Sequence, residues 1–212
     1  MSNANKSWVA FPQFLYLNKT PLKYQDALIY VTIRSFLNSK TGDCFPSLET
    51  IADKAGVGRT FVCKSLKRLK VSGLITSQTR KVGTDRNSPN QYSFSKFELF
   101  EQIPVQIFDC KDLSCPEKAM LICIRQFFKF DPLMTTNSIK TMATELGVTP
   151  KMIYTQLNGL LKKGYVRKVA RRLSNGDKLN SKYILTSRLP WKTYEVKIIG
   201  EVAPTIRKLG IG

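Results

Sequence analysis

The chain has 212 residues, 42% of them hydrophobic, and 34 lysines and arginines against 15 acidic residues, which gives a formal net charge of +19. This length accommodates two small domains, and the charge indicates a polyanionic partner. The sequence has no histidine, no GxxxxGK[ST] loop and no apolar run long enough for a membrane-spanning helix. Histidine-dependent hydrolysis, histidine-ligated metals and P-loop NTPase activity are therefore excluded.

Two features indicate where the protein works. Five cysteines, an odd number, occur without a CxxC pair, which argues against a disulfide framework and a zinc site. The N-terminal residues lack the long apolar run of a secretory signal. We therefore expect a reducing, cytoplasmic location and no bound metal or cofactor.

The first elements in the chain are an apolar segment and a helix. Residues 8–17 are apolar and aromatic, which predicts a strand with Pro12 near its start. We favour a segment that adds an edge strand to its own domain or packs under its own wing. The alternative is that it holds two domains together. Asp26 to Leu37 follows as a predicted helix that is apolar over more than one face.

The most informative stretch is Pro46 to Ile75. Apolar residues recur at helical spacing on both sides of Gly56, where a left-handed turn can end one helix before the next begins. Ser47 is placed to cap the first of these helices. The pattern predicts two helices joined by a tight turn, followed by a hairpin from Thr76 to Phe94.

The second predicted helix presents a basic and polar face. Cations and small polar groups on one face suit phosphates and base edges in a DNA major groove. The alternative is a solvated face on an ordinary helical hairpin. Cys63 lies on the same face, either as a small filler or as an oxidisable thiol. The candidate DNA-binding residues are Arg59, Thr60, Lys64 and Lys67 on the helix and Arg80, Lys81 and Arg86 in the hairpin.

The pattern occurs twice. A shift of 91 residues, the separation of Gly56 from Gly147, superimposes core leucines, turn glycines and helix caps from Leu22 onward without a gap. In the second copy Ser114 and Glu117 form a capping-box pattern. Two copies predict duplicated domains rather than a repeat array. The second copy's candidate DNA-binding residues are Lys151, Tyr154, Thr155 and Asn158 on its second helix and Arg171, Arg172 and Lys178 in its hairpin.

Charge is segregated along the chain. Residues 59–86 carry eight basic residues against one acid, whereas residues 98–117 carry five acids against one lysine. A solubilising surface would be mixed throughout, so the basic segments indicate nucleic-acid contact. A basic membrane-surface protein and an RNA-binding protein remain alternatives.

The connection between the copies predicts a fixed arrangement. Residues 95–112 are short for a flexible linker and contain apolar side chains that favour burial. Phe127, Phe128 and Phe130 suggest a helix–helix interface between the halves, with simple core packing as the alternative.

In these residues the chain resembles the winged helix-turn-helix proteins of plasmids, phages and conjugative elements. The resemblance rests on the Gly-x-x-Phe-Pro-Ser lead-in at residues 42–47 and on the leucine and glycine pattern that follows it. The second copy lacks the Phe-Pro pair and matches through the first. Two-domain replication initiators and TraN-like proteins of Gram-positive conjugative plasmids share this arrangement. The resemblance implies DNA binding without catalysis.

The sequence thus predicts a mainly α fold with small β wings (α+β), in which two tandem winged helix-turn-helix domains are related by an internal duplication. Residues 1–97 and 113–187 form the domains, 98–112 the linker and lead-in strand, and 188–212 a tail that could bind a protein partner. We expect a monomeric, sequence-specific binder of double-stranded DNA that is not an enzyme and acts as an internal pseudo-dimer. The alternatives are a replication initiator and a protein-interaction module.

Overall fold

The computed structural model describes residues 7–13, 17–79, 90–129, 133–135, 137–172 and 178–192. These residues form a mixed α/β structure of helices and small antiparallel sheets. The helices are α1 (Asp26–Ser35), α2 (Leu48–Ala55), α3 (Arg59–Val71), α4 (Cys115–Ile124), α5 (Ile139–Leu146) and α6 (Pro150–Lys162). The strands are β1 (Trp8–Pro12), β2 (Ile75–Thr79), β3 (Asn90–Phe94), β4 (Phe100–Pro104), β5 (Phe128–Lys129), β6 (Met134–Thr135), β7 (Val166–Arg172) and β8 (Lys178–Leu185).

The first unit contains α1, α2, α3 and the β2–β3 hairpin, which follows the second helix as predicted. The buried faces of these helices meet in one core, to which Ile33, Ile51, Val62, Leu66 and Leu69 contribute. In α2 and α3 the buried residues are those that recur at helical spacing in the sequence, so burial of one face accounts for these two helices. Nearly all of α1 is buried, with Arg34 partly exposed.

The second unit contains α4, α5, α6 and a sheet of order β5-β6-β8-β7. Its α5 and α6 have the same lengths as α2 and α3 and begin 91 residues after them. The predicted first helix of this unit, Glu117 to Phe128, is too long, since α4 ends at Ile124. A short 3-10 turn and β5 follow, and the Arg125 guanidinium donates to the Phe128 carbonyl at 3.0 Å.

The apolar segments that precede the two units, residues 8–12 and residues 100–104, pair with each other as strands. β1 runs antiparallel to β4, with Ala10 opposite Gln102, and Trp8 stacks on Phe100 with ring centroids 5.7 Å apart. The favoured prediction, that residues 8–17 add an edge strand to their own domain, is therefore wrong. β4 ends at Pro104 because a short 3-10 helix, Val105–Phe108, begins at the next residue.

A buried ion pair fixes this small sheet to the second unit. Glu101 of β4 is fully buried and lies 2.9 Å from the Arg125 guanidinium and 3.3 Å from the Lys129 ammonium. Gln13 donates a hydrogen bond to the same carboxylate at 2.8 Å. Burial raises the pKa of Glu101, and the two cations oppose that shift. The carboxylate therefore joins the segment after β1, β4 and the segment after α4.

The first helices of the two units also pack together, α1 against α4. The Cys123 thiol donates to the Tyr24 carbonyl at 3.4 Å across this interface. A helix–helix interface between the halves is thus confirmed. Phe127 and Phe128, which suggested it, are buried, and Phe130 lies outside the described residues.

In each unit a carboxylate at the start of the first helix is joined to the last helix. Asp26 of α1 accepts two hydrogen bonds from Arg68 of α3, at 2.6 and 2.7 Å. Glu117 of α4 instead pairs with Lys163, directly after α6, at 2.6 Å. A shift of 91 residues carries Asp26 onto Glu117 and Arg68 onto Gly159. Gly159 leaves the space that the Glu117 carboxylate occupies, because a Cβ at this position would overlap it.

Gly159→Ala is expected to destabilise the protein, although alanine is intrinsically better in a helix by about 1 kcal/mol. The new methyl group must displace a carboxylate that Ser114 and Lys163 hold at 2.7 and 2.6 Å. We expect a net loss of about 1 to 3 kcal/mol in the free energy of unfolding, measured by urea denaturation. Asn158→Ala, at the exposed neighbouring position, is the matched control and should not lose stability. A Gly159→Ala variant more stable than wild type would refute the close α4–α6 approach.

Candidate nucleic-acid interface

The first helix-turn-helix is built by local interactions. Ser47 caps α2, since its hydroxyl accepts a hydrogen bond from the Thr50 N–H at 3.0 Å. Gly56 then adopts a left-handed conformation with φ of 69°, which ends α2 and turns the chain toward α3. Because Val62, Leu66 and Leu69 are buried, the opposite side of α3 faces solvent.

The predicted residues of α3 lie on this exposed side. Arg59, Thr60, Lys64 and Lys67 are all exposed, and Thr60, Lys64 and Lys67 follow the 4 and 3 spacing of one helical face. Arg59 pairs with Glu49 at 2.7 Å, but both side chains are more than half exposed, at 64% and 58%. Such a surface pair is weak, so the guanidinium can exchange the carboxylate for a phosphate. Cys63, beside them, is partly buried.

Arg68 does not belong to this basic face. Its side chain turns toward α1, where it pairs with Asp26, a residue only 1% exposed. In the sequence, Arg68 is one of the eight basic residues between 59 and 86 and cannot be distinguished from Lys67 by composition. Its partner, rather than its charge, separates it from Lys67: the ion pair with Asp26 orients α3 on α1.

The second unit presents a different face on α6. Thr149 caps the helix by accepting a hydrogen bond from the Met152 N–H at 3.2 Å, and Pro150 occupies its first turn. Its outward side chains are less basic than those of α3 and include an aromatic ring. The predicted residues Lys151, Tyr154, Thr155 and Asn158 are all exposed. Met152, which was not predicted, is also exposed on this helix.

The two outward faces can be compared position by position. A shift of 91 residues places Lys151 where Thr60 stands, Tyr154 where Cys63 stands, Thr155 where Lys64 stands and Asn158 where Lys67 stands. Cationic and neutral side chains therefore exchange places between α3 and α6. Two such faces would make different contacts with base edges, because lysine, asparagine and tyrosine differ in their donors and acceptors.

The predicted wing residues are only partly described. Arg80, Lys81 and Arg86 lie outside the described residues. Arg171, Arg172 and Lys178 belong to β7 and β8, but their side chains are outside the description. On β7 the structure adds Arg167 and Lys168, both exposed, which the candidate residues omitted. Both belong to the basic residues that the sequence places around the second hairpin, and because they are consecutive they project to opposite faces of the strand.

Other kinds of site have little support among the described residues. Within those ranges, no group of three or more cysteine, aspartate or glutamate side chains is placed to hold a metal ion. The five cysteines form no disulfide, and Cys44 and Cys123 are buried. No helix in the described part of the chain is long and apolar enough to cross a membrane.

Comparison with known proteins agrees with this geometry. Residues 20–75 match a family model described as a helix-turn-helix domain. The matched range contains α1, α2 and α3 and ends at the first residue of β2. Residues 20–75 are therefore a helix-turn-helix domain, which supports a DNA-binding protein. No curated protein matches the chain.

Proposed function

We propose that the protein binds double-stranded DNA sequence-specifically through α3 and α6. The observation that carries this proposal is the exposed row of Arg59, Thr60, Lys64 and Lys67 on the second helix of a helix-turn-helix domain. In this motif the second helix enters the major groove with its N-terminal residues against base edges. Lysine and arginine donate to phosphates and to guanine, and threonine contacts either base edges or phosphates.

We further propose that the two units arose by internal duplication and act together as a pseudo-dimer within one chain. The equal lengths and 91-residue spacing of α2 and α5, and of α3 and α6, support this origin. The α1–α4 packing and the β1–β4 pairing support a fixed arrangement, so one chain would hold two recognition helices without dimerising. The hairpins β2–β3 and β7–β8 would serve as wings against the DNA backbone.

The biological setting that we propose is a plasmid, phage or conjugative element, with the protein acting as a transcriptional regulator or transfer factor. Its support is the resemblance of residues 42–75 to proteins of such elements. Replication initiators share the same resemblance, and the position of the bound sites would distinguish them. Sites beside a promoter or transfer origin indicate regulation or transfer, whereas iterated sites in a replication origin indicate initiation.

The protein is proposed to act by binding and not by catalysis, because the sequence has no histidine and its carboxylates are few.

The start of the C-terminal segment is held against the second unit, since Leu189 is buried and the Lys192 carbonyl accepts a hydrogen bond from Arg125 at 3.0 Å. We propose that the exposed residues of the tail contact a protein partner.

The proposal is tested by selecting duplexes from a random library with the full chain and titrating the bound sequence with salt. Each phosphate neutralised releases counterions, so the logarithm of the affinity should fall with the logarithm of salt at a slope of roughly 0.9 per phosphate. If about six phosphates are neutralised, affinity drops about 10³-fold between 50 and 200 mM salt. The selected sequence should keep its preference over a scrambled duplex at both salts. Equal affinity for the two duplexes would remove the claim of sequence specificity.

A further inference from the structure

The pairing of β1 with β4 is symmetric, because a two-fold rotation exchanges the two strands. The two strands differ by 92 in numbering, from Trp8 and Phe100 to Pro12 and Pro104. In the observed register Ala10 lies opposite Gln102, the residue 92 positions later. An antiparallel pair has a local two-fold axis, normal to the sheet, through each pair of opposite residues. The axis through Ala10 and Gln102 exchanges the two strands from end to end.

The contacts between the helical units obey the same rule. α1 packs on α4, which holds the corresponding place in the other unit, so this interface joins equivalent elements. Each helix-turn-helix turn is also approached by the opposite unit. The Cys115 thiol donates to the Gly56 carbonyl at 2.8 Å, and a Cβ on Gly147 would lie 3.2 Å from the Asn18 Cα. Each turn is thus contacted by the opposite unit, through residues that do not correspond under the 91-residue shift, since Asn18 corresponds to Asp109 and Cys115 to Tyr24.

Reciprocal contacts between equivalent elements define an isologous interface, which requires a two-fold relation. A head-to-tail arrangement would instead join different surfaces of the two units, and the equivalent strands and first helices would not meet. The β1–β4 pairing and the α1–α4 packing are those expected of two units related by an approximate two-fold axis through both contacts.

This axis constrains the DNA that both recognition helices can contact. The backbone of a straight duplex has two-fold axes perpendicular to its length, and a two-fold pair of proteins makes equivalent contacts only when its axis coincides with one of them. We propose that the binding site consists of two half-sites in inverted orientation whose sequences differ. This inference rests on the proposed function, since it describes the DNA that the same two helices would bind.

The half-sites differ because the side chains differ. Lys64 and Lys67 of α3 suit the O6 and N7 acceptors of guanine, whereas Asn158 of α6 suits the N6 donor and N7 acceptor of adenine. Thr155, where α3 has Lys64, removes one cation from the second face. The contacts to the DNA backbone thus follow an inverted repeat, whereas the base sequences of the two half-sites differ.

The test divides the selected duplex at its centre and rejoins the halves in two ways. One series keeps the inverted orientation and the other places the halves as direct repeats, each with the spacing varied in single base pairs around one helical turn of about 10 base pairs. The affinity of the full chain for the best direct-repeat duplex should be at least about tenfold lower than for the best inverted duplex. It should not exceed the affinity for a duplex that carries a single half-site. A direct-repeat duplex bound as tightly as the inverted one would overturn the inference.

A second measurement determines which half-site each of α3 and α6 contacts. Asn158→Ala, at an exposed position, should lose discrimination at base pairs in one half only, and Lys67→Ala, at the corresponding position of α3, in the other half. Loss from both variants in the same half would overturn the inverted arrangement. Failure of the proposed function is distinguishable, because selection would then return no preferred sequence for either orientation.

Discussion

Replacing Lys64 and Lys67 together by alanine is expected to weaken binding to the selected duplex by roughly 10- to 100-fold. Both ammonium groups are exposed on one face of α3, beside Thr60 and away from the core leucines. Their removal takes away base or phosphate contacts and leaves the packing of α3 intact. The loss is measured by fluorescence anisotropy with the selected duplex, and the slope of affinity against salt should fall by about 0.9 for each phosphate contact removed.

The matched control removes the same charge elsewhere. Lys40 and Lys111 are exposed and lie outside the helices, the first in the loop after α1 and the second in the acidic segment before α4. Lys40→Ala with Lys111→Ala should change specific affinity only slightly, through net charge. Equal losses from the two double variants would show that binding depends on total charge alone and that α3 does not face DNA.

Arg68→Ala should have the largest effect on stability, a loss of about 3 to 5 kcal/mol in the free energy of unfolding. The change leaves Asp26 buried, 1% exposed, without the guanidinium that approaches it at 2.6 Å. Removing one partner of a buried ion pair costs more than the pair itself contributes, because the remaining charge stays desolvated. Urea denaturation followed by circular dichroism measures the loss.

Two further variants separate this effect from surface charge. Lys70→Ala removes an exposed cation from the same helix and should change stability by no more than about 0.5 kcal/mol. Asp26→Asn combined with Arg68→Ala should recover part of the lost stability, since the uncompensated charge is gone. An Arg68→Ala variant that is as stable as wild type but binds DNA weakly would mean that Arg68 belongs to the DNA face.

The helical parts of the fold could be predicted because local interactions specify them. Ser47, Gly56, Ser114 and Thr149 each act within one turn of their own position, as caps or as a left-handed turn. The exposed faces of α3 and α6 follow from the same periodicity, since burial of one face leaves the other in solvent. The DNA contacts of the residues on these faces stay a prediction.

The remaining features depend on contacts between distant parts of the chain. The pairing of β1 with β4 joins segments about 90 residues apart, and an isolated apolar strand does not indicate its partner. Arg68 and Lys67 are adjacent and both cationic, and only the position of Asp26 on α1 separates their roles. The end of α4 at Ile124 depends on the strand that follows it and on the buried pair of Arg125 with Glu101.

We propose that α3 and α6 bind adjacent stretches of one duplex sequence-specifically. The measurement that tests it most directly is footprinting of the full chain on the selected duplex and on the replicon or genome that encodes it, at two salt concentrations. We expect a discrete protected region of about one to two helical turns that survives the higher salt. Protection spread over all sequences and lost at the higher salt would contradict the account, because the net charge of +19 would then supply only non-specific attraction.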